Sequence, residues 1–404
     1  MPPKGDSKNF KTHLRDLDGI IPESIDRRTF FKTAAGTAIA SGLAGCAGNG
    51  GNGDNGSTPT DKSSDSSTNG DDFIQKNVVY RQPWVPNMSY SVAYITQLQG
   101  MWNDQQITPP VVNRGFGSGD TVNRIGNGQE KLGMASITPQ ISSAGELDFK
   151  IYGIAKPRNI FALIYNEERL SSFDDIDQDT RIVATSGLAD MSWSMYREAL
   201  DLPDVQIEVI DDAAALSEFV DGSADAMWRG GYQYEFARKT VGDQFEVGAK
   251  FLSDVVPTLG FANIVNGPWL EENLEYVSRV LSGYSHAMKW VCLNPEETVQ
   301  IMRNDVDQAL QTGDEKVQLA TLRAGVIANN MTESVRNNGF GYLDTDLIES
   351  SIEAIAPQVG VDSPPDVDEL VDLRPQEEAE LATLSNDEWE QVREFAQPYV
   401  DLYG

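Results

Sequence analysis

The sequence predicts an α/β protein of two lobes joined by two crossovers, with a largely helical C-terminal part, carried behind an export leader. Three observations support this. Short apolar strand patterns alternate with helical ones from Asn77 onward, with short loops between them. The alternation restarts near Arg181 as a second block, and a late apolar run, 260–265, reads as a strand returning to the first sheet. The first 72 residues hold no such pattern.

The leader comes first in the chain. Asp26-Arg27-Arg28-Thr29-Phe30-Phe31-Lys32 has the twin-arginine pattern of a signal for export of folded proteins, and a weakly apolar run, 33–42, follows it. Leu43-Ala44-Gly45-Cys46 then has the form of a bacterial-type lipobox, with small residues where a peptidase must fit and a thiol for acylation. The apolar run is far shorter than the ~20 residues of a membrane span. Residues 1–45 are therefore read as a signal peptide with Arg27 and Arg28 as its recognition pair, and Cys46 as the lipidation site. Residues 46–72 are Gly, Asn, Ser, Thr and Asp with little else, too polar to offset their ordering entropy. As a flexible coil they would span roughly 30 Å, a leash between a lipid and a folded body.

The folded body begins with a short strand at 78–80 and a helix over 89–102. A second strand, Val111-Val112, is closed by Arg114-Gly115-Phe116-Gly117-Ser118-Gly119-Asp120 and a helix from Thr121. Strands over 131–136, 149–154 and 161–165 complete the first block. Residues 73–166 and 257–404 are thus assigned to lobe 1. Lobe 2, residues 167–256, has strands at 181–185, 205–210 and 224–228, with helices from Asp190, over 213–220 and over 232–239. The remainder from Leu270 is largely helical.

Composition excludes several chemistries. The formal charge is −31, with 62 acidic against 31 basic residues. Loss of residues 1–45 removes seven basic and five acidic residues, leaving 24 and 57, or −33. Such a charge repels itself, but in molar salt the screening length falls to ~3 Å. Scattered Asp and sparse Lys point to a halophile's protein rather than an acidic tail. No basic stripe exists, so no nucleic-acid partner is expected. The two cysteines are Cys46 and Cys292, and the two histidines are His13, in the leader, and His286. With Cys46 acylated no internal disulfide can form, and neither a metal site nor a His- or Cys-based nucleophile is expected. His286 and Cys292 share one apolar helical pattern and read as core. No cofactor is expected. Asn55, Asn87 and Asn330 begin Asn-x-Ser/Thr sequons; Asn55 in the leash is the plausible glycan site, and Asn87 lies too near the cleft mouth.

At this point the chain resembles the solute-binding lipoproteins of ABC importers, which have a periplasmic-binding-protein-like type II fold. It is most similar to the group that includes the sulfonate, nitrate and taurine binders and the thiamine-pyrimidine-precursor binders. The resemblance rests on Gly117-Ser118-Gly119-Asp120 and on Ile125-Gly126-Asn127-Gly128 leading into Leu132-Gly133-Met134-Ala135-Ser136. It continues in Phe219-Val220-Asp221-Gly222-Ser223-Ala224-Asp225-Ala226, in Ala262-Asn263-Ile264-Val265-Asn266, and in Lys289-Trp290-Val291 with Asn294-Pro295-Glu296-Glu297. It covers about residues 77–300. It implies a monomer outside the cell membrane that captures a small solute by hinge closure, about crossovers near Asn166 and 257–261, and docks on an ABC permease.

Ligands of open α/β sheets bind beyond the carboxyl ends of strands, near helix N-termini. Gly117, Ser118 and Gly119 hold such a place, as do Ser136 and Thr138 after the third strand and Ser186 and Gly187 in the second lobe. Trp84 and Trp228 close strands and Trp193 opens a helix; as aromatic walls they would suit a ring-bearing or apolar solute, with Arg229 available for an anionic group. Each tryptophan could equally be core, and Arg229 could be a surface ion pair. An enzyme is not expected, because the pyrimidine synthases that share this fold need a cysteine-rich iron-binding segment and a reactive histidine. Two alternatives stay open: the binding subunit of a TRAP-type transporter, which neighbouring genes would distinguish, and a ligand-sensing surface lipoprotein.

Overall fold

The ten strands among the described residues sort into two sheets of five. The computed structural model describes residues 73–403, apart from 185–187, 206 and 398. The expectations for Arg27, Arg28, Cys46 and the segment 46–72, and those for Ser186 and Gly187, lie outside the described residues. The first sheet holds β1 (Val79–Arg81), β2 (Val111–Asn113), β3 (Leu132–Ser136), β4 (Phe149–Lys156) and β10 (Phe261–Asn266), in the order β2-β1-β3-β10-β4. The second holds β5 (Phe161–Asn166), β6 (Ile182–Ala184), β7 (Ile207–Val209), β8 (Ala226–Gly230) and β9 (Val247–Phe251), in the order β7-β6-β8-β5-β9. These are one pattern used twice. In each sheet a single strand that has just arrived from the other lobe, β10 or β5, runs antiparallel between two neighbours.

Register shows where the working edges lie. Phe261, the first residue of β10, stands opposite both Ser136 and Lys156, the last residues of β3 and β4. Phe161, the first residue of β5, stands opposite Gly230, and Ala162 opposite Phe251, the ends of β8 and β9. Residues 157–160 and 252–260 join these two edges directly. The carboxyl ends of both sheets therefore face each other across the two crossovers, as the predicted α/β class requires.

Two sequence assignments need correction. Phe161–Asn166, placed in lobe 1, is hydrogen-bonded between β8 and β9 and belongs to the second sheet, so the first crossover lies at 157–160 rather than near Asn166. Its buried apolar run says that it is a central strand but not in which sheet, because pairing is a tertiary property. The C-terminal part, given wholly to lobe 1, also touches lobe 2. The Tyr403 and Phe251 rings lie 4.2 Å apart, and Lys239 pairs with Asp314. β9 itself had not been assigned.

Helices cover both faces of the first sheet. The longest, Leu274–Leu293, buries Tyr276, Tyr284 and Cys292, with the Tyr284 ring stacked on Tyr80 of β1, so Cys292 is core as read. Trp102 packs into this helix and donates its indole N–H to Val280 O at 3.0 Å. Gly283 permits that approach, since a Cβ there would lie 2.5 Å from the indole. The free edge of β4 is covered by returning chain, with Ile154 N donating to Gly341 O and Asp372 N to Ile151 O. This blocks strand addition at an otherwise open edge. Among the described residues no helix is long and apolar enough to cross a membrane.

Candidate functional site

The loops leaving β1 and β2 are tied together before they reach solvent. Gly115 N donates to Trp84 O at 3.1 Å and Gly117 N to Pro83 O at 2.8 Å. Gly115 is required there, because a Cβ would fall 1.9 Å from Gln82 O. Gly117, at φ +128°, then turns the chain into the helix Ser118–Gly126. The Ser118 hydroxyl accepts from Ser136 N at 3.0 Å, fastening that helix start to the end of β3. The structure thus brings together Trp84, Gly117, Ser118, Gly119 and Ser136, with Thr138 half-buried in the first turn after Ser136. Amides in a helix's first turn have no partner within the helix and sit at the positive end of its dipole. Gly119 is exposed, and a Cβ on it would meet nothing within 4 Å. Trp84, 47% exposed, and Phe116, 59% exposed, flank this loop pair as unburied rings.

Lys156 continues the row. It ends β4 only 3% exposed, and its ammonium donates to Ser89 Oγ at 2.5 Å. It also lies over the rings of Tyr90, at 4.5 Å, and Phe261, at 5.0 Å. No carboxylate among the described residues forms an ion pair with it. Burial alone pulls its pKa down from 10.5 to about 7. A small cavity lined by Ser89, Tyr90, Met134, Lys156 and Val326 adjoins the ammonium. From Ser118 through Ser136 and Phe261 to Lys156, the site runs along one sheet edge. Lys156, Ser89, Tyr90 and Phe116 were not singled out from the sequence. The available signal was a lysine closing an eight-residue apolar strand in a lysine-poor chain.

The second lobe contributes differently from what the sequence suggested. Trp228 is fully buried, stacked on Phe161 and in edge contact with Trp193, and its indole N–H donates to Ser192 Oγ at 2.8 Å. Trp193 is buried too, with its N–H on Val205 O at 2.9 Å. Both rings are core, not cleft wall: their apolar area is covered and their one donor is satisfied. Arg229 is buried within β8, with Nη1 against Met227 Sδ at 4.0 Å, and is not a surface cation. Beyond it, Gly231 N donates to Ile160 O at 2.7 Å, pinning the loop to the first crossover. Burial, and after it Tyr232 on that loop, raises the pKa of the Tyr90 phenol in the first lobe. Of the other sequons, Asn87 folds its amide back onto Ser89 N and Val85 O, and Asn330 is buried.

Among the described residues no group of three or more His, Cys, Asp and Glu could hold a metal ion. Two five-stranded α/β sheets with facing strand ends, each with one antiparallel strand entering at a crossover, have the fold of two-lobed periplasmic binding proteins. Solved structures of that class are similar to this chain. The ligand-binding component of an ABC-type import system from Staphylococcus aureus superposes with a TM-score of 0.55 at 10% identity, covering 76% of this chain and 100% of its own. The periplasmic aliphatic sulphonate binding protein of Escherichia coli gives 0.54 at 15% identity, over 78% and 95%. A putative periplasmic sulfonate-binding protein from Methylobacillus flagellatus gives 0.51 at 12%, over 82% and 96%. No protein-family model matches this chain, and no curated protein matches it by sequence. The likeness is one of fold.

Proposed function

We propose that this chain is an extracytoplasmic solute-binding protein, tethered through Cys46 after twin-arginine export, that captures a small organic solute and delivers it to an ABC permease. Capture is by closure of the two lobes about residues 157–160 and 252–260. No chemical step is needed. The observation that carries this reading is the row Ser118, Ser136, Phe261 and Lys156 along one carboxyl edge, facing the other lobe's edge across both crossovers. Helix-start amides and a buried ammonium suit an anionic head, such as a sulfonate. The exposed Trp84 ring suits an apolar or aromatic body. With Trp193 and Trp228 in the core, the aromatic wall is reduced to the first lobe.

The test is native mass spectrometry of the full protein purified from its host in high salt, followed by calorimetry with the solute that co-purifies. A bound organic anion, released on unfolding and rebound at a stoichiometry of one, is the expected result. Absence of a co-purifying solute, together with no heat from a panel of alkane- and arylsulfonates, nitrate and pyrimidine precursors, would overturn the reading.

A further inference from the structure

A cavity of about 250 Å³ lies against the crossovers, outside the row just described. Its wall is drawn from the first crossover, the second crossover and the C-terminal segment 332–347, and it includes none of Ser118, Ser136, Phe261 or Lys156. Most of that wall is apolar, with Ile154, Pro257, Val335 and Leu347 contributing. A small number of polar groups in a mostly apolar concavity is the usual make-up of a small-molecule site.

Two of those polar groups are charged and of opposite sign. Arg158 is held in place: its N–H donates to Asn329 Oδ1 at 3.2 Å, its C=O accepts from Asn329 Nδ2 at 2.8 Å, and its guanidinium lies 5.2 Å over the Tyr403 ring. Its Nη1 donates to Ala328 O at 3.3 Å, and burial lowers its pKa. Asp344 is held from the other side, where Oδ1 accepts from Leu347 N at 3.3 Å and caps the helix Thr345–Ile355. In the same wall the Ser253 hydroxyl oxygen is buried with no hydrogen-bond partner. Such a group is costly to the fold until something pairs with it.

A ligand of one net charge finds one opposite and one like charge in this wall, whereas a zwitterion can set each of its charges against its opposite. The geometry points to a second binding site here, for a small zwitterion with its carboxylate toward Arg158 and the Ser253 hydroxyl and its cationic end toward Asp344. Because both crossovers line the cavity, an occupant ties them to the C-terminal segment. Any effect on lobe closure rests on the solute-capture reading above, but occupancy itself does not.

The experiment is thermal unfolding of the full chain in 3 M KCl with β-alanine or 4-aminobutyrate, against propionate, butyrate, propylamine and butylamine at equal concentration. At least one zwitterion should raise the midpoint by about 2 °C or more as it saturates, and the singly charged compounds should not. Asp344→Asn keeps the helix cap but removes the charge, and Val335→Trp fills the space; either should abolish the shift. Ser118→Ala, in the strand-end row, should leave it intact. No shift with either zwitterion, or equal shifts from all six compounds, would overturn the proposal. So would a shift that survives Asp344→Asn, or one lost in Ser118→Ala, which would put the compound in the strand-end cleft instead. If Val335→Trp does not fold, Asp344→Asn alone decides.

Discussion

Lys156 donates its ammonium to Ser89 Oγ at 2.5 Å, and no carboxylate among the described residues forms an ion pair with it. A buried cation satisfied by one hydroxyl and two ring faces is costly to the unliganded fold. Its pKa falls from 10.5 in the unfolded chain to about 7 in the fold. Between those values the unfolded chain holds more protons, so stability rises as pH increases from about 7 toward 10. The cost at neutral pH and below is on the order of a few kcal/mol. Lys156→Met should therefore stabilise the unliganded protein at pH 7 and flatten the rise between pH 7 and 9, while weakening the solute at least tenfold. Denaturant unfolding at the two pH values in constant salt reads the first part, and calorimetry reads the second. An unchanged pH slope in the variant would show that the ammonium is not the titrating group.

The Ser118 hydroxyl accepts from Ser136 N, holding the start of one helix against the end of β3. Ser118→Ala leaves that amide without its partner, a loss of about 1 kcal/mol in a half-buried place. It also frees the loop that carries Gly117 and Gly119. The expected result is a midpoint lowered by only a few degrees with a much larger fall in solute affinity. Equal affinity in the two proteins would remove Ser118 from the site.

The tryptophans separate by burial. Trp228→Ala should cost about 3–5 kcal/mol, because it opens a cavity among Phe161, Trp193 and Tyr196 and removes the indole's hydrogen bond to Ser192 Oγ. Trp84→Ala should change stability by less than about 0.5 kcal/mol, since the ring is 47% exposed. Its effect should appear in solute affinity instead. Paired melts and titrations of the two variants test both statements, and a Trp228→Ala protein as stable as the parent would contradict the core assignment.

The lobe pattern was legible in the sequence because strand and helix periodicities differ and restart once, near Arg181. The Gly117 turn was legible for a local reason, since φ +128° favours glycine, whereas the need for Gly115 comes from Gln82 O, which only the folded chain brings within 1.9 Å of a Cβ there. What was not legible depends on pairing. Phe161–Asn166 reads as a buried strand in either sheet, and only its ladder to β8 and β9 places it in the second. Trp228 and Trp84 both close strands in the sequence, yet one faces the Ser192 helix and the other solvent. Lys156 was not singled out because its environment, the Ser89 loop and the Phe261 ring, comes from chain 67 residues upstream and from beyond the second lobe.

The charge of the chain leads to the last prediction. The whole chain carries 62 acidic and 31 basic residues, so its folded body concentrates like charge, and the ion pairs on its surface offset little of it. Pairs such as Arg181 with Glu208 and Glu218, or Arg374 with Glu271 and Asp372, are partly exposed, so each contributes little, and less as salt rises. Self-repulsion across the whole surface is the larger effect, and molar salt shortens its range to ~3 Å. Unfolding lets the charges separate, so dilution should favour the unfolded chain. Equilibrium unfolding at 0.1 M and 3 M KCl should show a stability higher by several kcal/mol in the concentrated salt, with most molecules unfolded in the dilute one. Replacing KCl by an equal osmolarity of sucrose separates screening from water activity, and only the salt should rescue the fold if charge is the cause. Equal stability in the two salts would mean that the acidic surface is a solubility feature and not a requirement for folding.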